Sequence, residues 1–294
     1  MSRTGHIRNP FEIAVQGFTS AVSDAGEAAV RDHEALSTAP PVVRRITPQD
    51  LWQSLREGAA DLGAVRDDVL FIGLIYPLAG LVFSRFLFSE NLLPLAFPLV
   101  AGFAIVGPVA AVGLYEISRR RERGEPVNWL TAMKVFQSEA LSRVLWLGVL
   151  MLALFSLWMA SAWGIYQMTL APFFANGVTS AAPSLAAFTG AVFETPQGWA
   201  MAITGIIVGG VFATFAMAVS ALSFPMLLDR KVSVPTAVTT SLRACAANPG
   251  VMALWGLVVA GLLAAGSIPL LFGLIFVVPV LGHATWHLYR KIVG

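Results

Sequence analysis

Apolar residues run in long blocks along this chain, separated by short segments where charged and polar residues return at helical spacing. Blocks long enough to cross a hydrocarbon layer of roughly 30 Å lie at about residues 69–88, 92–115, 144–170 and 199–228. A fifth block, 251–289, is interrupted by Gly266-Ser267-Ile268-Pro269; too long for one span, it divides into two short ones, 251–267 and 269–289. The pattern predicts an all-α fold, a polytopic membrane helix bundle of six transmembrane helices arranged as three hairpins.

The segments before each hairpin are amphipathic. "ITPQDLWQSLREGAADL" offers Thr47 as N-cap, Pro48 at the first helical position and Asp50 in a capping-box position, and then places Leu51, Trp52, Leu55, Ala59 and Leu62 on one stripe. A helix of this kind is expected to lie flat in the membrane interface. "PVNWLTAMKVFQSEAL" and "SVPTAVTTSLRACAANP" stand in the equivalent places before spans three and five. Span ends also correspond: Glu116 and Arg119 follow Pro108 by eight and eleven residues, as His287 and Arg290 follow Pro279. Together these matches suggest a threefold internal repeat of interfacial helix plus hairpin.

Composition agrees with a membrane location, since 56% of the 294 residues are hydrophobic and only 12% are charged. Charge then sets the orientation. With six spans and an inside N-terminus, 18 of the 19 Lys and Arg residues fall in inside segments and only Arg85 is left near the outer face. The positive-inside rule therefore predicts cytoplasmic N- and C-termini in a bacterial inner membrane. Residues 1–46, with mixed charges and the stretch "STAPPVVRR", read as a mobile cytoplasmic arm; residues 47–294 form the membrane domain. No signal peptide is evident, and the mild net charge of +2 carries no nucleic-acid signature.

Candidate chemistry is sparse. Cys245 is the single cysteine, so no internal disulfide or cysteine cluster is expected. His283 and His287, four apart, would share one helix face about 6 Å from each other, a spacing that suits a ligand pair. Glu116 joins them as a candidate polar site if spans two and six meet at their inner ends. The competing reading makes the histidines polar anchors, because Trp286, Tyr289 and Arg290 beside them, like Trp52 near the start, are the residues of an interface belt. Gly205 and Gly209 form a small-xxx-small pattern suited to close helix packing. No catalytic residue, metal ligand set or cofactor motif stands out, and the basic run Arg119 to Arg123 reads as the retention signal of a cytoplasmic loop.

The stretches "DDVLFIGLIYPLAGLVFSRF", "GPVAAVGLYEISRRRERGE" and the closing "GHATWHLYRKIV" resemble a prokaryotic family of integral membrane proteins, domain of unknown function 2189. The resemblance runs from about residue 47 onward and implies a six-span inner-membrane protein without an established activity. Some members carry the label cytochrome c oxidase subunit I. A catalytic core of that kind needs histidines for two haems and a copper, whereas this chain has four histidines, two of them in its spans. The leading expectation is thus a non-enzymatic accessory or assembly protein of a membrane complex, such as a respiratory one, with the lipid bilayer and that complex as partners. A transporter or lipid-handling protein is the alternative, and a metal- or haem-binding membrane protein the third.

Overall fold

The computed structural model describes residues 41–64, 78, 85, 93–128, 134–175, 184–268 and 271–294. The arm over residues 1–40 and nearly all of the first expected span lie outside the described residues. Everything regular in the described residues is helical: α1 (Pro48–Ala64), α2 (Ala96–Ala110), α3 (Val112–Glu122), α4 (Leu141–Thr169), α5 (Ala171–Ala175), α6 (Leu185–Glu194), α7 (Pro196–Ser220), α8 (Ser223–Asp229), α9 (Val234–Ala247), α10 (Pro249–Ser267) and α11 (Leu274–Ile292). Among these, Leu141–Thr169, Pro196–Asp229 and Pro249–Ser267 are long and apolar enough to cross a membrane. The second expected span is broken at Ala111, three residues after Pro108, and α11 ends in basic residues.

Helix starts follow their caps. The carboxylate of Asp50 accepts from both the backbone N–H (2.8 Å) and the hydroxyl (2.7 Å) of Thr47, as the capping pattern predicts. These bonds, led by that from the backbone, hold the Asp50 carboxyl below its ordinary range. Ser184, Thr195 and Ser233 cap α6, α7 and α9 by the complementary bond, each hydroxyl oxygen accepting from the backbone N–H three residues on. Within the apolar helices, Ser156, Ser161, Thr214 and Ser267 each donate to the carbonyl four residues back, so hydroxyls on lipid-facing helices are satisfied internally.

Three helices, α2, α4 and α7, meet around Trp158, which is buried with Ile105, Ala162 and Ala216 and lies 5.6 Å from the ring of Phe212. Its indole N–H donates to the carbonyl of Pro98 (2.9 Å). Gly102 and Gly209 make room for this junction: a Cβ at Gly102 would overlap the ring of Phe155, and one at Gly209 would stand 2.9 Å from Trp158. Gly205, expected as the partner of Gly209 in packing, faces open space instead. The ridge that meets the Trp158 ring is one turn further along α7. The outward faces of α4 and α7 stay apolar, with Trp146, Val149, Leu157, Ile203, Ile207 and Val211 exposed.

A second core lies where α1, α3, α8, α9 and α11 pack together. The interface of α1 with α11 is the most extensive of the described helix pairs. α1 buries Leu51, Ser54, Gly58, Asp61 and Leu62. This corrects the stripe read from sequence, because Ala59 and Trp52 point outward and the helix packs on protein along a face rotated toward Gly58. A Cβ on Gly58 would come 2.6 Å from the amide nitrogen of Ala284 and 2.8 Å from the carbonyl oxygen of Val280, so only glycine admits this approach.

Other expectations are adjusted here. The segment before the third expected span has no regular structure over residues 125–128 and forms a 3-10 turn at Lys134–Gln137, with residues between them outside the description. The arm does not extend to residue 46: the amide of Arg44 donates to Ile292 (2.8 Å), that of Gly294 to Val42 (3.1 Å), and Asn248 accepts from the amide of Ile46 (2.8 Å). The break between α7 and α8 frees backbone groups at Ala218 and Leu222. Ser241 on α9 repairs it, donating to the Ala218 carbonyl (2.7 Å) and accepting from the Leu222 amide (3.4 Å).

Candidate functional site

The close approach at Gly58 carries Asp61, one turn on, to the histidines of α11. Its Oδ2 lies 2.8 Å from His287 Nε2 and accepts the hydroxyl proton of Ser118 on α3 (2.5 Å). Its Oδ1 accepts from the guanidinium of Arg121 (2.6 Å), which also donates to the Ala60 carbonyl (2.9 Å). His283 Nδ1 stands 2.7 Å from Ser118 Oγ and 4.0 Å from Asp61 Oδ2. Beyond His287, its Nδ1 lies 3.6 Å from Glu57, which Lys291 neutralises at 2.6 Å.

Proton counting assigns the roles. Ser118 has one hydroxyl proton and gives it to the carboxylate, so toward His283 it accepts from Nδ1–H. His287 donates to the same carboxylate through Nε2–H. His283 is fully buried. Burial pushes the Asp61 carboxyl upward, but the hydrogen bonds from His287 and Ser118, with the charges of His287 and His283, outweigh it and hold the group below its ordinary value near 3.8.

The two histidines expected to act together therefore do converge, on a carboxylate. Glu116 does not join them. It is buried two residues before Ser118 on α3 and is chelated by Arg119 (2.8 Å) and Arg120 (2.6 Å). Asp61, Ser118 and Arg121 are the members that sequence reasoning missed. The available signal was an acid on the buried register of α1, three residues after a glycine.

The belt residues also differ from expectation. Trp286 and Tyr289 are fully buried in the chain instead of facing the interface. The indole of Trp286 donates to Glu122 (3.0 Å), and the Tyr289 hydroxyl donates to Asp229 (2.9 Å). Arg290 remains part exposed and pairs with Glu122 (3.0 Å) and Asp229 (3.3 Å). The basic run of α3 is thus engaged in tying α3 to α1 and α8, since Arg119 also donates to the Leu228 carbonyl (3.0 Å). Cys245 is half-buried on α9, where burial pushes its thiol up to about 11 and leaves it an unreactive small side chain.

At the far end of α4 and α7 an open cavity of about 870 Å³ is lined by Phe173, Phe174, Glu194, Thr195 and Gln197 among others. Glu194 is the single charged residue between Arg143 and Asp229.

Comparison with known families fits this apolar architecture. A family model described as "Predicted integral membrane protein (DUF2189)" matches residues 96–229. Residues 96–229 are similar to that family. The DUF2189 segment runs from α2 to α8, so Glu116, Ser118, Arg121 and Trp158 lie inside it. Asp61, His283 and His287 lie outside it, and the match is shorter than the resemblance from residue 47 onward implied. No curated protein and no solved structure matches the chain. The chain is an integral membrane protein with several apolar helices.

Proposed function

We propose that this protein is a six-span protein of the bacterial inner membrane, with both termini cytoplasmic, that packs beside, assembles or stabilises another membrane complex without catalysing a reaction itself. One observation carries the reading. Arg121 pairs with Asp61, Arg290 with Glu122 and Lys291 with Glu57 to tie α1, α3 and α11 together, whereas the outward faces of α4 and α7 expose apolar side chains. A rigid polar base beneath an apolar flank suits lateral association in a bilayer, where close packing of helix faces supplies the attraction. Trp52 and Arg290, both part exposed, fit the interface at that base. The spans outside the three long apolar helices would be the first block, α2 with α3, and α11.

The test is gentle detergent extraction of the tagged protein at native expression, followed by identification of stoichiometric companions. Co-elution with a defined membrane complex is expected. Elution as a lone species would overturn the accessory role and favour the second reading, lipid or small-molecule handling, which the open cavity with Glu194 and its phenylalanines supports.

A further inference from the structure

We propose that the open cavity at the far end of α4 and α7 binds an organic ammonium group, with the Glu194 carboxylate as its counter-charge. The inference rests on reading that cavity as a ligand site and is independent of the accessory role. Its volume of about 870 Å³ falls in the range of small-molecule sites. The end of α4, the short α5, α6 and the start of α7 supply its walls. Phe174 of α5 stacks on Phe188 of α6 with ring centres 6.4 Å apart, and Phe173 stands edge-on to Phe174 at 5.5 Å. The stacked rings fix α5 against α6 and leave Phe173, 42% exposed, as an aromatic wall of the opening.

The sign of the ligand follows from the charges. Residues 144–228 contain one charged side chain, Glu194, so nothing in that stretch neutralises it. Among the described residues its carboxylate has no ion-pair or hydrogen-bond partner. Helical side chains lean toward the start of their helix, and the Glu194 carboxylate lies back toward Gly190, 3.9 Å from where a Cβ would stand. Both residues line the cavity, so the charge runs along its wall. Gln197 adds an amide oxygen as a second acceptor. A carboxylate, an amide acceptor and aromatic rings together suit an ammonium cation. An anionic group would meet only repulsion, since none of the described residues lining the cavity is basic.

The depth of the site bears on where that cation comes from. Trp163 and Tyr166 near the end of α4 and Trp199 near the start of α7 gather at this end of the helices, as side chains do at head-group level. Trp163 and Trp199 are exposed, and the indole N–H of Trp199 donates to the Phe193 carbonyl (2.9 Å). Glu194 is itself exposed, which gives an amine access to it. A cavity opening at this level can take the amine of a phospholipid head group from the bilayer or a free amine from water. The chemistry at Glu194 is the same for both.

The test uses the full chain, purified and reconstituted in nanodiscs of equal parts phosphatidylethanolamine and phosphatidylglycerol, then released for native mass spectrometry of its retained lipid. Phosphatidylethanolamine should be retained in excess over its share. Glu194→Gln, a neutral substitution at an exposed position, should lower that relative retention about tenfold through loss of a charge-assisted hydrogen bond. Phe173→Leu, which keeps apolar bulk but removes the ring, should lower it about two- to fivefold. Excess ethanolamine in the buffer separates the two sources: displacement of the lipid would support a site for the amine alone, and persistence a site for the whole lipid. The co-elution experiment above reads partners in native membranes and this one reads the purified chain, so either can fail without the other. Retention of both lipids in their bulk ratio, or an unchanged excess in Glu194→Gln, would overturn the proposal.

Discussion

Replacing Gly58 by alanine perturbs the contact that positions Asp61. On an exposed helix this change would be favourable by about 1 kcal/mol, from the lower chain entropy of alanine. In α1 the new Cβ would meet backbone atoms of α11 at 2.6, 2.8 and 2.9 Å, and backbone cannot rotate away. An ordinary contact near 3.4 Å therefore requires the helices to part by about 0.8 Å from the shortest of these. The same displacement would stretch the Asp61 to His287 hydrogen bond from 2.8 Å to about 3.6 Å, past bonding distance. Overpacking of this kind costs about 1–3 kcal/mol, which the helix propensity only partly offsets. Gly63, on the same helix, has nothing within 4 Å of its Cβ position and is the internal control. Thermal unfolding in detergent should place Gly58→Ala below the parent by several degrees and Gly63→Ala level with it or above. Equal melting of the two variants would refute the packing argument.

Three further outcomes follow from the same geometry. Asp61 has its carboxyl lowered in the fold, so its contribution is complete above the ordinary value near 3.8 and is lost as pH falls through the lowered value; Asp61→Asn should weaken the fold at neutral pH and flatten this acid dependence in a melting series, and identical slopes would contradict the linkage. Trp158→Ala empties the junction of α2, α4 and α7 and should cost about 3–5 kcal/mol in reversible denaturation; a loss under about 1 kcal/mol would show that the junction is not packed as described. Ser241→Ala leaves the buried Leu222 amide without its acceptor and should cost about 1–3 kcal/mol, whereas Ser241→Thr, which keeps the oxygen, should recover part of it.

Much of the fold could be read from sequence because its strongest determinants are local. Apolar length marks α4, α7 with α8, and α10, since a membrane helix must satisfy its own backbone and be apolar over a fixed distance. The Thr47, Pro48 and Asp50 cap of α1 is equally local. The site is not local. Asp61 and His287 are 226 residues apart, and no periodicity within either helix announces their pairing. Gly58 carries no signal of its own in the amphipathic pattern, yet it is where α1 comes too close to the backbone of α11 to admit a Cβ. Glu116 drew attention as an acid near a span end, but Arg119 and Arg120 at one helical turn neutralise it on its own helix. Trp286 and Tyr289 have the composition of an interface belt and the burial of a core, a distinction that depends on α3 and α8 arriving beside them.

The central claim is that α1 packs on α11 and delivers Asp61 to the histidines, where the amphipathic pattern alone would lay the helix on the membrane surface. The direct measurement is intramolecular crosslinking. With Cys245, the single native cysteine, replaced by serine, cysteines are introduced at Glu57 and Lys291, whose side chains meet at 2.6 Å. A short bifunctional thiol reagent applied to native membranes should then join the two positions rapidly within one chain, in preference to a Trp52 and Lys291 pair. Failure to crosslink 57 with 291, or equal yields from both pairs, would mean that α1 does not dock on α11 and that the polar network does not form.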